Sequence, residues 1–436
     1  MLDIKYIREN KDEVKQNCKN RGAKCDIDKL MDLDEKRVAL LQEIEVLQSE
    51  KNKINNEIAT AENKEEVIAK GKKIKDDLEK LEPKLKEIKK EWEIILMSVP
   101  NIASPDMPIG KDENENVSIK KWGDLPSFDF EIKDHMQLGE NLDIIDIKKA
   151  SEISGSRFFY LKNEAVFLQF AIVNFVFDTL SREDILKKII KESGAKVSSK
   201  PFIPMLPPVM IRNKVQKSIH RVFGEQTYRF KEDKLNLVAS AEHTMAPYYM
   251  NETLEKDQLP LRYIGYSTAF RREAGSYGKD MGGILRTHQF DKLEMESFTD
   301  ADTGLDEQKF IVGIQEYLTR KLKIPYQLVH VCSGDTGNPD YSQFDIECWM
   351  PGQNKYRETH TSDYMTDYQM RGIKSFYKDK DGKRNLLHTN DATAFAIGRI
   401  LIAILENYQQ ADGSVMVPEV LRKWMPGNIE VIEKKK

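Results

Sequence analysis

Residues 270–294 read Phe-Arg-Arg-Glu-Ala-Gly-Ser-Tyr-Gly-Lys-Asp-Met-Gly-Gly-Ile-Leu-Arg-Thr-His-Gln-Phe-Asp-Lys-Leu-Glu. Gly275, Gly278, Gly282 and Gly283 fall too close together for an uninterrupted β-strand, whereas a hairpin with a long loop accepts all of them. Arg271 and Glu273 then lie two residues apart on the outgoing strand. Strand side chains alternate, so Arg286, His288, Phe290 and Glu294 on the returning strand can share their face. Guanidinium groups, a carboxylate and an aromatic ring on one face suit a triphosphate, a base and a charged amine. The same residues also suit a salt-bridged surface hairpin, because exposed ion pairs contribute little to stability and occur freely.

The 436 residues are enough for one large core and an appendage. Charged residues make up 32% of the chain, so part of it is unusually polar, while a net charge of −4 gives no global attraction to nucleic acid. Cys18, Cys25, Cys332 and Cys348 form no CxxC pair, which argues against a zinc knuckle or a disulfide framework and for a reducing compartment. The histidines form no HExxH-like cluster. No apolar run is long enough to span a membrane, and the opening Met-Leu-Asp-Ile-Lys reads as a cytosolic start rather than a signal peptide.

The first hundred residues are helical. Residues 4–20 read as one short helix. Leu33, Leu40, Leu47, Ile54 and Ala61 then recur every seven residues, with Val38, Leu41, Ile44 and Ile58 widening the stripe. A second heptad run, Val67, Ile74, Leu81, Ile88 and Ile95, carries Leu78, Leu85 and Trp92 at its other seam position. Two stripes joined by a polar break between residues 62 and 72, with Gly71 a second candidate for the turn, predict an antiparallel two-helix coiled-coil arm kinked at Pro83. Such an arm reaches on the order of 40–50 Å and holds too little core for catalysis. Its lysines, among them Lys51, Lys53, Lys64, Lys70, Lys72, Lys73, Lys84, Lys86, Lys89 and Lys90, either follow a phosphate backbone or keep the helices solvated. Pro100, Pro105, Pro108 and Gly110 end the pattern, placing the domain boundary between residues 1–110 and 111–436, with a linker over residues 101–125.

In the second part, residues 142–150 and 151–157 read as a short helix and a turn, Phe158–Leu161 as a buried strand, and 167–190 as one long amphipathic helix. Met205-Leu206-Pro207-Pro208-Val209 closes an extended piece, and Tyr228–Val238 reads as a hairpin. Ser240 and Glu242 either hold an ammonium group or cap a helix starting near Thr244. Residues 326–331 and 343–349 read as strands, followed by Glu358 and Thr361, whose oxygens suit magnesium and phosphate if they do not simply face solvent. Asp391-Ala392-Thr393-Ala394-Phe395-Ala396-Ile397-Gly398-Arg399 reads as the opening of an apolar helix, in which Arg399 needs an anionic ligand or an internal acid as partner.

Over nearly its full length the chain resembles seryl-tRNA synthetases of the bacterial type. Phe270–Glu294 is similar to that family's motif 2, Asp391–Arg399 to motif 3, and the Pro207-Pro208 segment with its preceding helix to motif 1; the opening decapeptide and Glu406–Gly413 also match. The resemblance implies an α+β fold: a class II synthetase antiparallel sheet flanked by helices, behind an N-terminal arm that binds tRNA(Ser), in a cytoplasmic homodimer. It implies two steps, attack of L-serine on the α-phosphate of ATP with Mg2+, then transfer of the seryl group to the 3′ end of tRNA(Ser).

Residue by residue, the resemblance implies that Arg271 clamps the α-phosphate and carboxylate region, that Glu273 holds the adenine amino group, and that Phe290 stacks on adenine opposite Arg399. It gives Arg286 the outer phosphates, Glu358 and Thr361 the magnesium, Ser240 and Glu242 the serine amino group, and Glu294 and Thr393 the amine and hydroxyl. Asp391-Ala392-Thr393 departs from the usual Asn-Gly-Ser and sets a negative charge beside the amino-acid pocket; Ser240 replaces a usual threonine, and Met281-Gly282-Gly283 a more typical Thr-Arg-Gly. Two other readings remain: a ligase loading a carrier protein or another non-tRNA acceptor, against which the arm argues, and a non-catalytic RNA-binding paralogue, against which Arg271 and Arg399 argue.

Overall fold

The computed structural model describes residues 1–57, 63–221, 224–274 and 282–434. Ile58, Ala61, Gly275, Gly278 and Met281, used above, lie outside the described residues. The chain separates into two compact units, Met1–Ile102 and Ala103–Lys436.

In the first unit the expected helix over residues 4–20 is two helices, Ile4–Glu9 and Lys11–Asn20, because Asn10 leaves helical geometry at φ −124° and ψ 39°. Two long helices follow, α1 (Ile27–Glu57) and α2 (Lys64–Ser98). Lys29 of α1 pairs with Glu91 of α2, and Gly71 faces Ile54, so the helices run antiparallel. Ile44, Ile74, Leu78 and Leu85 form the buried seam, with Leu40, Leu47, Ile54 and Leu81 packed against it. The turn is not at Gly71, which lies inside α2; Asn63 caps that helix by accepting the Glu66 N–H at 3.3 Å. Helix α2 continues through Pro83, where packing of Leu78, Leu81 and Leu85 outweighs one missing backbone hydrogen bond.

The second unit is built on an eight-stranded sheet. Its strands in chain order are β1 (Val117–Trp122), β2 (Ile203–Met205), β3 (Leu261–Phe270), β4 (Gln289–Thr299), β5 (Tyr326–His330), β6 (Ser342–Met350), β7 (Lys355–Thr366) and β8 (His388–Ala396). Their spatial order is β1-β5-β6-β7-β8-β4-β3-β2, antiparallel throughout except that edge strand β2 runs parallel to β3. The helices used below are α3 (Glu164–Leu180), α4 (Glu183–Ser193), α5 (Gly304–Lys321) and α6 (Ile397–Asn407). Alternation along β4 divides the sheet's faces. Leu293 and Met295 join Phe310, Ile311 and Ile314 of α5 in the core, while Phe290, Lys292, Glu294 and Glu296 point to the other side.

Several expectations are corrected. The single helix over 167–190 is α3 and α4, bent by 78°, because Arg182 is extended and lets each helix bury its stripe against a different neighbour. Among the described residues no single helix is long and apolar enough to cross a membrane. Only Tyr160–Leu161 of the expected buried strand is strand, and Tyr160 is 42% exposed. The stretch 142–150 contains a short strand, Ile145–Asp146, before a helix over Ile147–Ser154. The expected linker contains β1, an edge strand whose mixed, mostly exposed side chains disguise it in the sequence. Residues 391–396 are not helix but the end of β8, since backbone pairing with β4 as far as Ala396, and with β7 as far as Ala392, overrides the helix preference of the alanines.

Candidate active site

A cavity of about 390 Å³ opens on the sheet face opposite α5, and every site residue singled out from the sequence except His288 lines it. Adjacent strands supply Phe290 and Glu294 from β4, Asp391 and Thr393 from β8, and Glu358 and Thr361 from β7. Arg399 enters from the first turn of α6, and Ser240 and Glu242 from the segment after a hairpin of Arg229–Phe230 with Leu235–Leu237. Arg271, Glu273 and Arg286 come from the limbs of the glycine-rich loop.

The limbs differ from the expected strands. Strand β3 stops at Phe270; the Arg271 N–H still bonds the His288 carbonyl at 2.9 Å, but Glu273 takes a φ of 50°, left-handed geometry that no strand sustains. His288 turns away. Its Nδ1 is 2.9 Å from the Arg271 carbonyl, and its ring packs on Phe158 at 5.3 Å.

Two β-bulges bring together residues that simple alternation would separate. Ile346 faces His360 while Glu347 faces Glu358, so Thr359 is an extra residue, and Glu358 and Thr361 reach the same face three positions apart. Leu293 faces Phe395 while Glu294 faces Thr393, so Ala394 is extra, and the strand carries Thr393 and then the α6 start into the same cavity. At that start Gly398 lies so close to Ile284 that a Cβ would stand 2.9 Å from its carbonyl oxygen.

One end of the cavity is cationic. The Arg271 guanidinium lies 5.3 Å from the centre of the Phe290 ring. Arg399 Nη1 is 3.1 Å from Glu358 Oε1 and donates to the Glu358 carbonyl at 2.8 Å, so its partner is an internal acid. Desolvation and the neighbouring Arg399 charge push the Arg271 pKa below its ordinary value, the mark of two cations facing a space that favours an anion. Desolvation raises the Glu358 carboxyl, but Arg399 outweighs it and holds that group below the usual range. Arg286 pairs with Glu273, whose carboxylate also lies 3.9 Å from Arg157.

The other end is acidic. Ser240 Oγ donates to Glu294 Oε2 at 3.0 Å and accepts the Glu242 N–H at 3.3 Å, at the start of a short helix that begins at Glu242 rather than near Thr244. Lys292 Nζ is 2.5 Å from Glu294 Oε2. Glu242 is buried and accepts from Arg221 at 2.6 Å and Gln369 at 2.7 Å; burial raises its carboxyl, and the Arg221 charge more than reverses that. Sequence reasoning missed Arg221, Lys292, Asp340, Asp345 and Asp363, all of which line the cavity. Lys292 and Asp363 were within reach, being two residues from Glu294 and Thr361 on the same strand faces. Arg221 and Asp340 come from loops with no period to betray them.

Among the described residues no group of three or more His, Cys, Asp or Glu side chains forms a metal site. Glu358 Oε1 and Thr361 Oγ1, 3.3 Å apart, are hard oxygen donors of the kind Mg2+ takes when phosphates complete its shell.

An antiparallel sheet that gathers arginines, an aromatic ring and carboxylates on one face defines the core of a class II aminoacyl-tRNA synthetase. The family model for the tRNA synthetase class II core domain (G, H, P, S and T) matches residues 227–408, and that for the seryl-tRNA synthetase N-terminal domain matches residues 1–103. The chain is 38% identical to the serine–tRNA ligase of Treponema denticola, covering 97% of this chain and 98% of the relative, and 39% identical to that of Dictyoglomus thermophilum, covering all of both. It is similar to the crystal structure of seryl-tRNA synthetase from Pyrococcus horikoshii complexed with ATP, with a TM-score of 0.86 and 35% identity over the whole of both chains. It also matches the cytoplasmic serine–tRNA ligase of Naegleria fowleri in complex with AMP, with a TM-score of 0.81, 26% identity and coverage of 100% of this chain and 99% of that one. The chain belongs to the seryl-tRNA synthetase family.

Proposed function

We propose that the cavity activates L-serine with ATP and passes the seryl group to the 3′ end of tRNA(Ser), with residues 111–436 as the catalytic domain and 1–110 as the tRNA-binding arm. The protein is a serine–tRNA ligase. The observation that carries the site assignment is that Arg271 and Arg399, far apart in the chain, line one cavity together with Phe290. Full-length matches to serine–tRNA ligases lend nothing to a carrier-protein ligase or a non-catalytic paralogue.

In this reading adenine stacks on Phe290 and its amino group meets Glu273, Arg271 takes the α-phosphate, and Arg286 and Arg399 take the outer phosphates. A serine carboxylate oxygen attacks the α-phosphorus as the bond to the pyrophosphate oxygen breaks, and the electron pair leaves with pyrophosphate. The reaction needs no general base, because the nucleophile is already a carboxylate; fixed cations stabilise the charge moving outward. Glu358 and Thr361 would hold Mg2+, which supplies further neutralisation of the phosphates. Serine's amine goes to Glu294 and Ser240, Asp391 stands beside that pocket, and Thr393 lies by the hydroxyl. Glu242, already bonded by Arg221 and Gln369, supports this end more than it contacts the substrate.

The arm's charge and length support the tRNA role: of the lysines named above, Lys53, Lys64, Lys70, Lys72, Lys73, Lys84, Lys86 and Lys90 are exposed on helices of about 46 and 52 Å. Homodimerisation in the cytoplasm belongs to the same reading. It is supported by exposed Phe167, Phe170, Ile203, Leu206 and Met210 on and beside α3 and the parallel edge strand.

Serine-dependent ATP–pyrophosphate exchange, followed by charging of tRNA(Ser) by the full chain and by a variant with charge-reversed arm lysines, tests the reading. Exchange should be equal in both proteins and charging lost in the variant. Absence of exchange in the folded full chain would refute the cavity assignment.

A further inference from the structure

The acidic end of the cavity gathers more carboxyl groups than serine explains. Asp363 of β7 is in register with Asp391 of β8, and Asp391 with Glu296 of β4, so three carboxyl groups stand side by side across three neighbouring strands. Like charges directly opposite one another destabilise a sheet unless something positive is shared between them. All three are nearly inaccessible, at 6%, 4% and 0% exposure for Asp363, Asp391 and Glu296. Glu242, Glu294 and Asp340 complete the group.

Arg221 and Lys292 face these acids. Arg221 Nε donates to Glu242 Oε1 at 2.6 Å, and its Nη2 stands 3.2, 3.6 and 3.8 Å from Asp340, Asp363 and Asp391. Lys292 is committed to Glu294 and Ser240. Asp363 Oδ1, Asp391 Oδ1, Glu294 Oε1 and both oxygens of Glu296 are buried and have no hydrogen-bond partner among the described residues. A buried carboxylate oxygen without a donor is costly, and an ammonium group with three N–H donors can satisfy several at once. Serine brings one ammonium and a neutral hydroxyl, which leaves most of these oxygens unmet. Burial and neighbouring acids raise the carboxyl pKa of Asp363, Asp391 and Glu296 well above the ordinary value, the direction expected of acids crowded together with too few cations.

We propose that the Asp363–Asp391–Glu296 row is a second cation subsite, through which the enzyme adenylates, besides serine, amino acids that carry another ammonium on the β- or γ-carbon. The proposal rests on the assignment of this cavity as the amino-acid site. The chemistry is that of the serine reaction: a carboxylate oxygen of the diamino acid bonds to the α-phosphorus of ATP, the bond from that phosphorus to the pyrophosphate oxygen breaks, and pyrophosphate leaves with the electron pair. The second ammonium is not consumed; it lies against the acid row. Asp363 and Asp391 line the cavity, and Glu296 backs Asp391 from the next strand.

The test is ATP–pyrophosphate exchange by the full chain with L-serine, L-2,3-diaminopropionate, L-2,4-diaminobutyrate and, as the uncharged control of similar size, L-2-aminobutyrate. One diamino acid should reach a kcat/KM within about tenfold of serine and exceed 2-aminobutyrate by about 100-fold or more, because the uncharged control leaves the buried carboxyl oxygens unmet. Asp363→Asn and Asp391→Asn, nearly isosteric, should lower the ratio of diamino acid to serine by about tenfold. Serine exchange with both diamino acids no better than 2-aminobutyrate overturns the proposal and leaves the serine site standing. Diamino-acid exchange whose ratio to serine is unchanged in both variants overturns the assignment to this row. No exchange with any amino acid overturns the cavity reading itself.

Discussion

Glu358 of β7 and Arg399 of α6 are joined twice, through the carboxylate at 3.1 Å and through the Glu358 carbonyl at 2.8 Å. The pair ties the first turn of the helix to the strand that carries Thr361, so the guanidinium is held at the cavity wall before any phosphate arrives. Arg399→Ala should lower kcat/KM in serine-dependent exchange by about 100-fold or more, the usual effect of removing one preorganised charge from a transition state. Arg399→Lys should fall between that variant and the natural enzyme, since an ammonium keeps the charge but not the fork that grips carboxylate and carbonyl together. Circular dichroism should be unchanged in both.

Arg262 of β3 and Glu307 of α5 form the deepest ion pair among the described residues of the second unit, with side chains 0% and 1% exposed and bonds of 2.6 and 2.7 Å. Arg262 also donates to the Ser198 and Lys200 carbonyls at 2.7 and 2.8 Å. Arg262→Ala strands Glu307 in the core and should destabilise the unit by about 3–5 kcal/mol. The double variant with Glu307→Gln should cost less than the sum of the two single changes, measured by urea denaturation.

Burial pushes His243 and His360 down to about 3, so they stay neutral in the native state while unfolded histidines gain protons below pH 6.5; stability is lost as pH falls through that interval. Glu296, Asp363 and Asp391 act in the opposite sense. With carboxyl pKa values raised by burial and neighbouring acids, they keep protons that the unfolded chain releases above about pH 4, and their contribution is lost as pH rises through the raised values. As pH rises above the ordinary carboxylate range these acids should pull the urea midpoint down, against the gain from the histidines. Asp391→Asn should relieve part of that pull, so its midpoint gains on the natural protein's as pH rises, and an unchanged difference between the two would contradict the raised carboxyl.

Gly283 has a φ of +76°, and a Cβ there would run into His135 Nε2. That nitrogen accepts the Ile284 N–H at 3.3 Å while Nδ1 lies 3.1 Å from buried Glu406, so the imidazole braces the limb that delivers Arg286. Gly283→Ala should raise the KM for ATP by about tenfold, consistent with a strain of roughly 1–3 kcal/mol at a left-handed residue. Gly282→Ala is the control, because its Cβ would meet only the flexible Met136 side chain at 3.1 Å. Equal effects of the two changes would exclude the histidine brace.

The sequence by itself determined the arm, because a seven-residue apolar repeat admits few arrangements other than paired helices, and Ile44, Ile74, Leu78 and Leu85 do form the seam. It also singled out the charges and ring around the glycine-rich loop and around Arg399, which are unusual enough to stand out locally and which line the cavity. What only the tertiary structure decided is how they meet. The extra residues Thr359 and Ala394 turn Glu358 with Thr361, and Thr393 with the α6 start, onto one face, and a bulge depends on the partner strand rather than on local sequence. The strand end at Phe270 and the strand character of residues 391–396 likewise follow from hydrogen bonds to distant neighbours. The Arg221 cage was invisible for the same reason: Glu242, Asp340, Asp363 and Asp391 lie far apart along the chain and become one electrostatic site only when separate strands and loops converge on one guanidinium.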